Sequence, residues 1–379
     1  MCFSKIKYIL LLLLLCVVQF HICPAFAAVN KDKLELAWQL IDQGEFDEAI
    51  LLCNEIIESE PNNATAYAYR ARALLKKGND DNALSDCNKA IELDPNNALA
   101  LYLRGSIYLD KQSYTQALQD FNKAIEIKSD WDWPFGGRGD LFLKQGEYEK
   151  AIKEFTKAIE IAPSKSLYYL GRGDSYFGIS KWELAISDFT KAINLDSHDA
   201  FAFCSRGSSY FKLKNYDKAV MDFNSALSIN PNYIECYVHR GYLFNIQKEY
   251  DKAFADFNKA IEIDQESVEA YYYRGLTFFQ TLRFREAAMD FDKSIEIDPD
   301  YGTGLNYYYR GFSFYYLGQY PKAIKDFDKY LKTYPNDNEV RHYRLIAYIY
   351  AYIYYFVGVI FISSVVIISI KKFKKPSKL

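Results

Sequence analysis

The chain has 379 residues, half of them apolar and a quarter charged, with a formal net charge of −3. That composition belongs to a large folded chain, excludes a disordered one, and lacks the basic footprint of a nucleic-acid binder. Aromatic residues make up 17%, with 34 Tyr and 27 Phe, an excess that needs a structural cause.

The N-terminus carries Lys5 and Lys7, then an apolar run over 9–20, then Ala25-Phe26-Ala27. This order predicts a secretory signal over 1–27, either cut after Ala27 or kept as an anchor. Residues 30–337 then repeat one unit. Ala49, Ala83, Ala117, Ala151, Ala185, Ala219, Ala253 and Ala287 follow one another at a fixed step of 34 residues, and Ala323 lies 36 further on because Gly302-Thr303 is inserted. Nine units fit, at 30–63, 64–97, 98–131, 132–165, 166–199, 200–233, 234–267, 268–301 and 304–337. Within a unit, Ala151, Phe155, Ala158 and Ile159 mark the apolar stripe of one helix, and Phe135, Arg138, Gly139 and Phe142 that of the helix before it. Gly146 marks the turn between them, and Pro61, Pro95, Pro163, Pro231, Pro299 and Pro335 close second helices.

At the far end, residues 345–370 hold no charge across 26 positions. As a helix this run measures about 39 Å, enough to cross a hydrocarbon layer of about 30 Å. Tyr348, Tyr350, Tyr352, Tyr354 and Tyr355 crowd its first half, and Lys371, Lys372, Lys374, Lys375 and Lys378 follow it. Interfacial rings and a basic flank predict one transmembrane helix entered from a capping helix (338–370 in all), with 371–379 a cytoplasmic tail and the repeats extracytoplasmic, periplasmic in a bacterium.

The repeat pattern resembles the tetratricopeptide repeat family, as the third unit illustrates with Leu101, Gly105, Tyr108, Tyr114, Ala117, Phe121 and Ala124. The resemblance covers about 80% of the chain and implies an all-α, right-handed α-solenoid of about nine helix-turn-helix repeats, here followed by the transmembrane helix. The first unit departs most, with Lys33 and Ala37 where later units carry an apolar residue and Gly. The resemblance also implies that first helices line a concave groove for a protein or peptide partner. At the inward-looking places stand Tyr102, Trp133, Phe177, Phe201, Phe211, Tyr242, Tyr272, Phe279, Tyr308, Phe312 and Tyr315, with Arg72 and Lys76 as the cationic end. An aromatic groove of that kind suits apolar or amphipathic segments.

The sequence Arg-Gly-Asp occurs at 138–140 and 172–174, where it invites reading as an adhesion motif. The repeat explains it otherwise. Arg stands at Arg70, Arg104, Arg138, Arg172, Arg206, Arg240, Arg274 and Arg310, and Gly follows all but the first. An acid recurs sixteen residues after each: Asp86, Asp120, Glu154, Asp188, Asp222, Asp256, Asp290 and Asp326. Unit one lacks both, with Leu36 and Leu52 there. The co-occurrence predicts structural ion pairs between first and second helices, within a unit or between neighbours. Gly136, Gly137, Gly139, Gly171, Gly173 and Gly178 crowd two first helices and predict a flexible stretch over 132–178.

No phosphate loop, His/Cys cluster or CxxC pair appears, so no catalytic residue, cofactor, metal site or nucleic-acid partner is expected. Cys53, Cys87, Cys204 and Cys236 read as free, mostly buried thiols. The expected function is a non-enzymatic interaction scaffold tethered to the bilayer through 345–370. The alternatives are a carbohydrate or cell-wall polymer binder and an accessory subunit of an envelope enzyme.

Overall fold

The computed structural model describes residues 30–373, with side chains described through 353 and at Phe356 and Val357. The described residues are helical, without strands. They divide into two compact units, split between Ser197 and His198. The first holds five helix pairs: α1 (30–43) with α2 (Phe46–Ser59), α3 (Ala64–Lys76) with α4 (Asp80–Leu93), α5 (Ala98–Asp110) with α6 (Tyr114–Ile127), α7 (Asp132–Lys144) with α8 (Tyr148–Ile161), and α9 (Ser166–Gly178) with α10 (Trp182–Leu195). The second holds four pairs: α11 (Ala200–Lys212) with α12 (Tyr216–Ile229), α13 (Ile234–Ile246) with α14 (Tyr250–Ile263), α15 (Val268–Gln280) with α16 (Phe284–Ile297), and α17 (Leu305–Tyr316) with α18 (Tyr320–Thr333), followed by α19 (Asn338–Phe373). Inside each unit, successive first helices also touch one another, α3 on α5, α5 on α7 and α7 on α9, then α11 on α13, α13 on α15 and α15 on α17.

The pairs close because the repeated apolar positions meet. Phe121, Phe155, Phe189, Phe223, Phe257, Phe291 and Phe327 on second helices are fully buried. Each ring lies against the Gly that follows the repeated Arg: a Cβ on Gly105 would stand 2.8 Å from the Phe121 ring, and one on Gly139 2.8 Å from Phe155. Arg-Gly is thus half electrostatic and half steric. Where Phe is replaced by a smaller side chain, Gly is replaced too. Ala71 accompanies Cys87 and Ala37 accompanies Cys53, all fully buried. The first unit's Ala37 is therefore a matched substitution that keeps the pair tightly packed. Burial pushes the Cys53 and Cys87 thiols up to about 12, so they stay protonated packing groups.

The turn within each pair needs one left-handed residue, at Gly44, Gly78, Gln112, Gly146, Ser180, Lys214, Lys248, Leu282 and Gly318. The two inserted residues are absorbed in a 3₁₀ turn at Tyr301–Gly304, where Gly302, Thr303 and Gly304 all have positive φ.

The glycine-rich stretch 132–178, where flexibility is expected, is closely packed. Side-chain atoms added at Gly136, Gly137, Gly171 and Gly178 would meet the rings of Tyr168, Phe121, Phe155 and Tyr148 at 2.3–2.9 Å. These glycines make room for rings.

The expected signal at 1–27 lies outside the described residues. Among the described residues no helix is long and apolar enough to cross a membrane. The backbone of α19 is helical over the expected span 345–370, but most of that span's side chains, and residues 374–379, lie outside the description.

Candidate functional site

All eight Arg-acid pairs form inside a unit. In each, the guanidinium grips the carboxylate with two N–H groups, as in Arg104 to Asp120 at 2.8 Å and 2.8 Å, and Arg172 to Asp188 at the same distances. Arg70–Asp86, Arg206–Asp222, Arg240–Asp256, Arg274–Asp290 and Arg310–Asp326 repeat this geometry. Arg138 reaches a single oxygen of Glu154, the longer acid, through both of its N–H groups. Burial raises Asp256, Asp290 and Asp326 above the usual carboxylate range despite the pull of their arginines, so desolvation offsets much of the attraction.

The remaining guanidinium nitrogen does something the sequence reading missed. It donates back to the preceding pair: Arg70 to Asn54, Arg104 to Asn88, Arg138 to Asn122, Arg240 to Asn224 and Arg274 to Asn258, at 2.6–2.9 Å. Arg172 uses the Thr156 hydroxyl, and Arg310 uses Asp292, eighteen residues back because of the insertion. Each of these seven arginines therefore joins three helices and ties one repeat to the next. The signal lay in the sequence as a second 34-residue ladder of Asn and Thr. The ladder also runs one rung further than expected. Arg344 in α19 stands 34 residues after Arg310 and bonds Asp328 at 2.8 Å. With Val340 and Ala347 fully buried and Tyr343 against Phe312 and Tyr315, the start of α19 packs as the first helix of a tenth, half-complete repeat.

The Arg-Gly-Asp triplets at 138–140 and 172–174 lie inside α7 and α9, with each Arg spent on an acid. Asp140 and Asp174 are half-buried on successive first helices. Burial, then their mutual repulsion, lifts Asp174 to about 7; burial lifts Asp140 to about 6.

The expected groove residues divide by unit. In the first, Arg72, Lys76, Tyr102 and Trp133 line one cleft of 480 Å³, which Leu75, Ser106, Asp110, Asp140, Leu167 and Tyr168 complete. Tyr102 rests against Trp131 and Trp133 at 5.4 Å each. Lys165 and the Tyr168 hydroxyl both bond Asp132 at 2.6 Å, fixing one wall. Phe177 packs on Trp182 at 4.8 Å, away from those lining residues.

In the second unit most of the expected residues satisfy one another. Tyr272 and Phe312 are 8% and 4% exposed, so neither offers a face to a partner. Tyr242 lies between Phe211 and Tyr273, at 5.7 and 4.7 Å. Phe279 meets Phe284 and Tyr309, Tyr308 meets Phe312 and Tyr330, and Tyr315 meets Tyr320 and Tyr343. Phe201 remains exposed. Tyr272 and Phe312 are thus core between helices and not groove residues, whereas Phe211, Tyr242, Phe279, Tyr308 and Tyr315 are half-buried.

Comparison with known proteins follows the same lines. Profiles described as tetratricopeptide repeat match residues 34–98, 87–119, 200–233 and 305–337, and one described as TPR repeat matches 139–179 and 241–281. Among solved structures, the APC/C hetero-tetramer Cut9–Hcn1 is similar with a TM-score of 0.58 at 19% identity, over 71% of this chain and 52% of that one. This chain thus spans about half of that relative's length. A tetratricopeptide repeat protein from Parabacteroides merdae is similar with a TM-score of 0.53 at 20% identity, over 66% of this chain and 98% of that one. The human IFIT1 dimer with PPP-AAAA gives 0.54 at 18% identity, over 80% and 72%. At these identities the likeness concerns the fold. No curated protein matches the sequence. With matched repeats covering more than half its length, the chain belongs to the tetratricopeptide repeat family.

Proposed function

We propose that the chain is a non-enzymatic scaffold that holds a segment of a protein partner on the first-helix face of its first unit, tethered to a membrane by residues 345–370. The observation that carries the partner reading is the 480 Å³ cleft, where aromatic walls from Tyr102 and Trp133 meet charged side chains of both signs. Clefts that combine apolar anchors with a few placed polar groups suit recognition of a peptide segment. The tether is supported by the uncharged run with its lysine-rich flank. It is also supported by the exposed apolar side chains at the start of that run. Leu345, Ile349, Tyr352, Phe356 and Val357 are all more than half uncovered, a surface that water does not suit. The basic flank supports a topology with the repeats outside the cytoplasm.

The test is site-specific photo-crosslinking in native membranes. A photoreactive residue at Leu167, exposed on the cleft rim, is expected to capture one discrete protein, and one at Met221, exposed on α12, to capture none. Capture from Met221 alone would overturn the assignment of the face. Extraction of the chain by alkaline carbonate without detergent would overturn the tether.

A further inference from the structure

We infer that the first unit carries a second site, beyond the partner-binding reading, that takes a saccharide bearing a carboxylate. Three of the chain's four tryptophans converge on it. A cleft of 350 Å³ is walled by Trp38, Tyr69, Trp131 and Trp133, and shares only Trp133 with the larger cleft. Its rim carries Thr65, Asn97 and Lys128. Asn97 spends its side-chain oxygen on the N–H of Ala100 at 3.0 Å, which leaves its NH₂ group as a donor.

Arg72 stands between two of the indoles. Its guanidinium carbon lies 4.0 Å from the Trp38 ring centre and 5.1 Å from that of Trp133. Arg72 is only 9% exposed. One terminal nitrogen bonds Asp42 at 2.7 Å, while the other, Nη1, is buried without a hydrogen-bond partner among the described residues. Native proteins rarely leave such a group unanswered. Arg72 itself lines the larger cleft, and its guanidinium packs on the Trp38 and Trp133 rings that wall this one.

The chemistry of the walls selects the ligand class. Flat indole faces stack on the C–H face of a sugar ring, and rim donors meet its oxygens. The rim donors Lys128 and Asn97 stand beside no acidic side chain in this lining, and the Lys128 ammonium favours a carboxylate over a hydroxyl. An apolar peptide would leave these donors unpaired.

The experiment uses the full-length chain in a polyoxyethylene detergent, whose headgroup is not a sugar. It is titrated with oligoglucuronate, with a neutral gluco-oligosaccharide of equal length and with hexaglutamate, followed by tryptophan fluorescence and calorimetry. Oligoglucuronate is expected to bind at least tenfold more tightly than either competitor. Trp131→Ala and Lys128→Met should each weaken it at least tenfold, and Trp182→Ala should leave it unchanged. Melting curves report that the variants fold. No binding, equal binding of hexaglutamate, or unchanged affinity in Trp131→Ala and Lys128→Met would overturn the site. The crosslinking from Leu167 does not depend on this result, so either reading can fail alone.

Discussion

The two units share one scaffold and put different chemistry on it. At the ninth place of successive repeats, the first unit carries Trp38, Arg72, Ser106, Asp140 and Asp174, while the second carries Ser208, Tyr242, Leu276 and Phe312. The first unit's glycines and charged side chains leave clefts between first helices. In the second, Tyr242 and Phe312 at those places pack on rings from other places of the repeat, Phe211, Tyr273 and Tyr308. The difference teaches that an aromatic residue at an inward place does not by itself make a groove. A ring surrounded by rings becomes core, while Trp133, beside Arg72 and Lys165, stays half-buried on a cleft.

The comparison can be broken first at the shared scaffold. Phe155 lies under both Gly139 and Gly171, whereas Phe291 lies under Gly275. Phe155→Ala should cost about 4 kcal/mol in denaturant unfolding, and Phe291→Ala a similar amount. A loss below about 1 kcal/mol in either would contradict the shared ring-on-backbone packing.

Next comes the arginine ladder. Asp120→Ala strands Arg104 half-buried and should cost about 3 kcal/mol, less than a fully buried pair because the guanidinium is 22% exposed. Arg104→Met combined with Asp120→Leu should recover most of that loss, since desolvation already offsets the pair's attraction. Equal losses in the single and double variants would mean that the pair itself supplies the stability.

A smaller effect separates the units by pH. The folded-state pKa values of Asp174 and Asp140, about 7 and about 6, lie above their unfolded ones. The folded chain therefore binds more protons between pH 4 and 7, and stability falls as pH rises through that window. Asp174→Asn should stabilise the first unit at pH 7 by about 1–2 kcal/mol and flatten the slope. Hydrogen exchange resolved by segment should show the change in 132–197 and not in the second unit. An unchanged slope would refute the raised carboxylate.

The smallest effect concerns the turns. Leu282 is 73% exposed and held at a φ of 61°. Leu282→Gly should stabilise the second unit by about 1 kcal/mol, read as a rise in melting temperature. Gly146→Ala in the first unit should cost a similar amount.

Much of this architecture was legible because repetition lets one chain serve as its own comparison. The 34-residue steps at Ala49 to Ala287, the Arg at Arg70 to Arg310 and the acids sixteen residues on were visible as periodic events, and they specify helix pairs and ion pairs. The return bond to Asn54, Asn88 and Asn122 was equally periodic but went unread, because Asn on a second helix looks like solvated surface until its Arg partner is placed. Arg344 was hidden because the apolar run after it dominates that segment. The cleft was only half legible. Gly136 and Gly171 signal room for something, but whether that room holds a neighbouring ring or stays open depends on side-chain volumes two helices away. The same limit let Tyr272 and Phe312 pass for groove residues.

Carbene footprinting of the full-length chain in micelles tests the contrast between the units most directly. The account predicts strong labelling at Leu167 and Trp131 on the open face of the first unit, and little at Tyr272 and Phe312 in the second. Labelling of Tyr272 and Phe312 at the level of Leu167 would mean that the second unit's rings line a groove after all, and would contradict it.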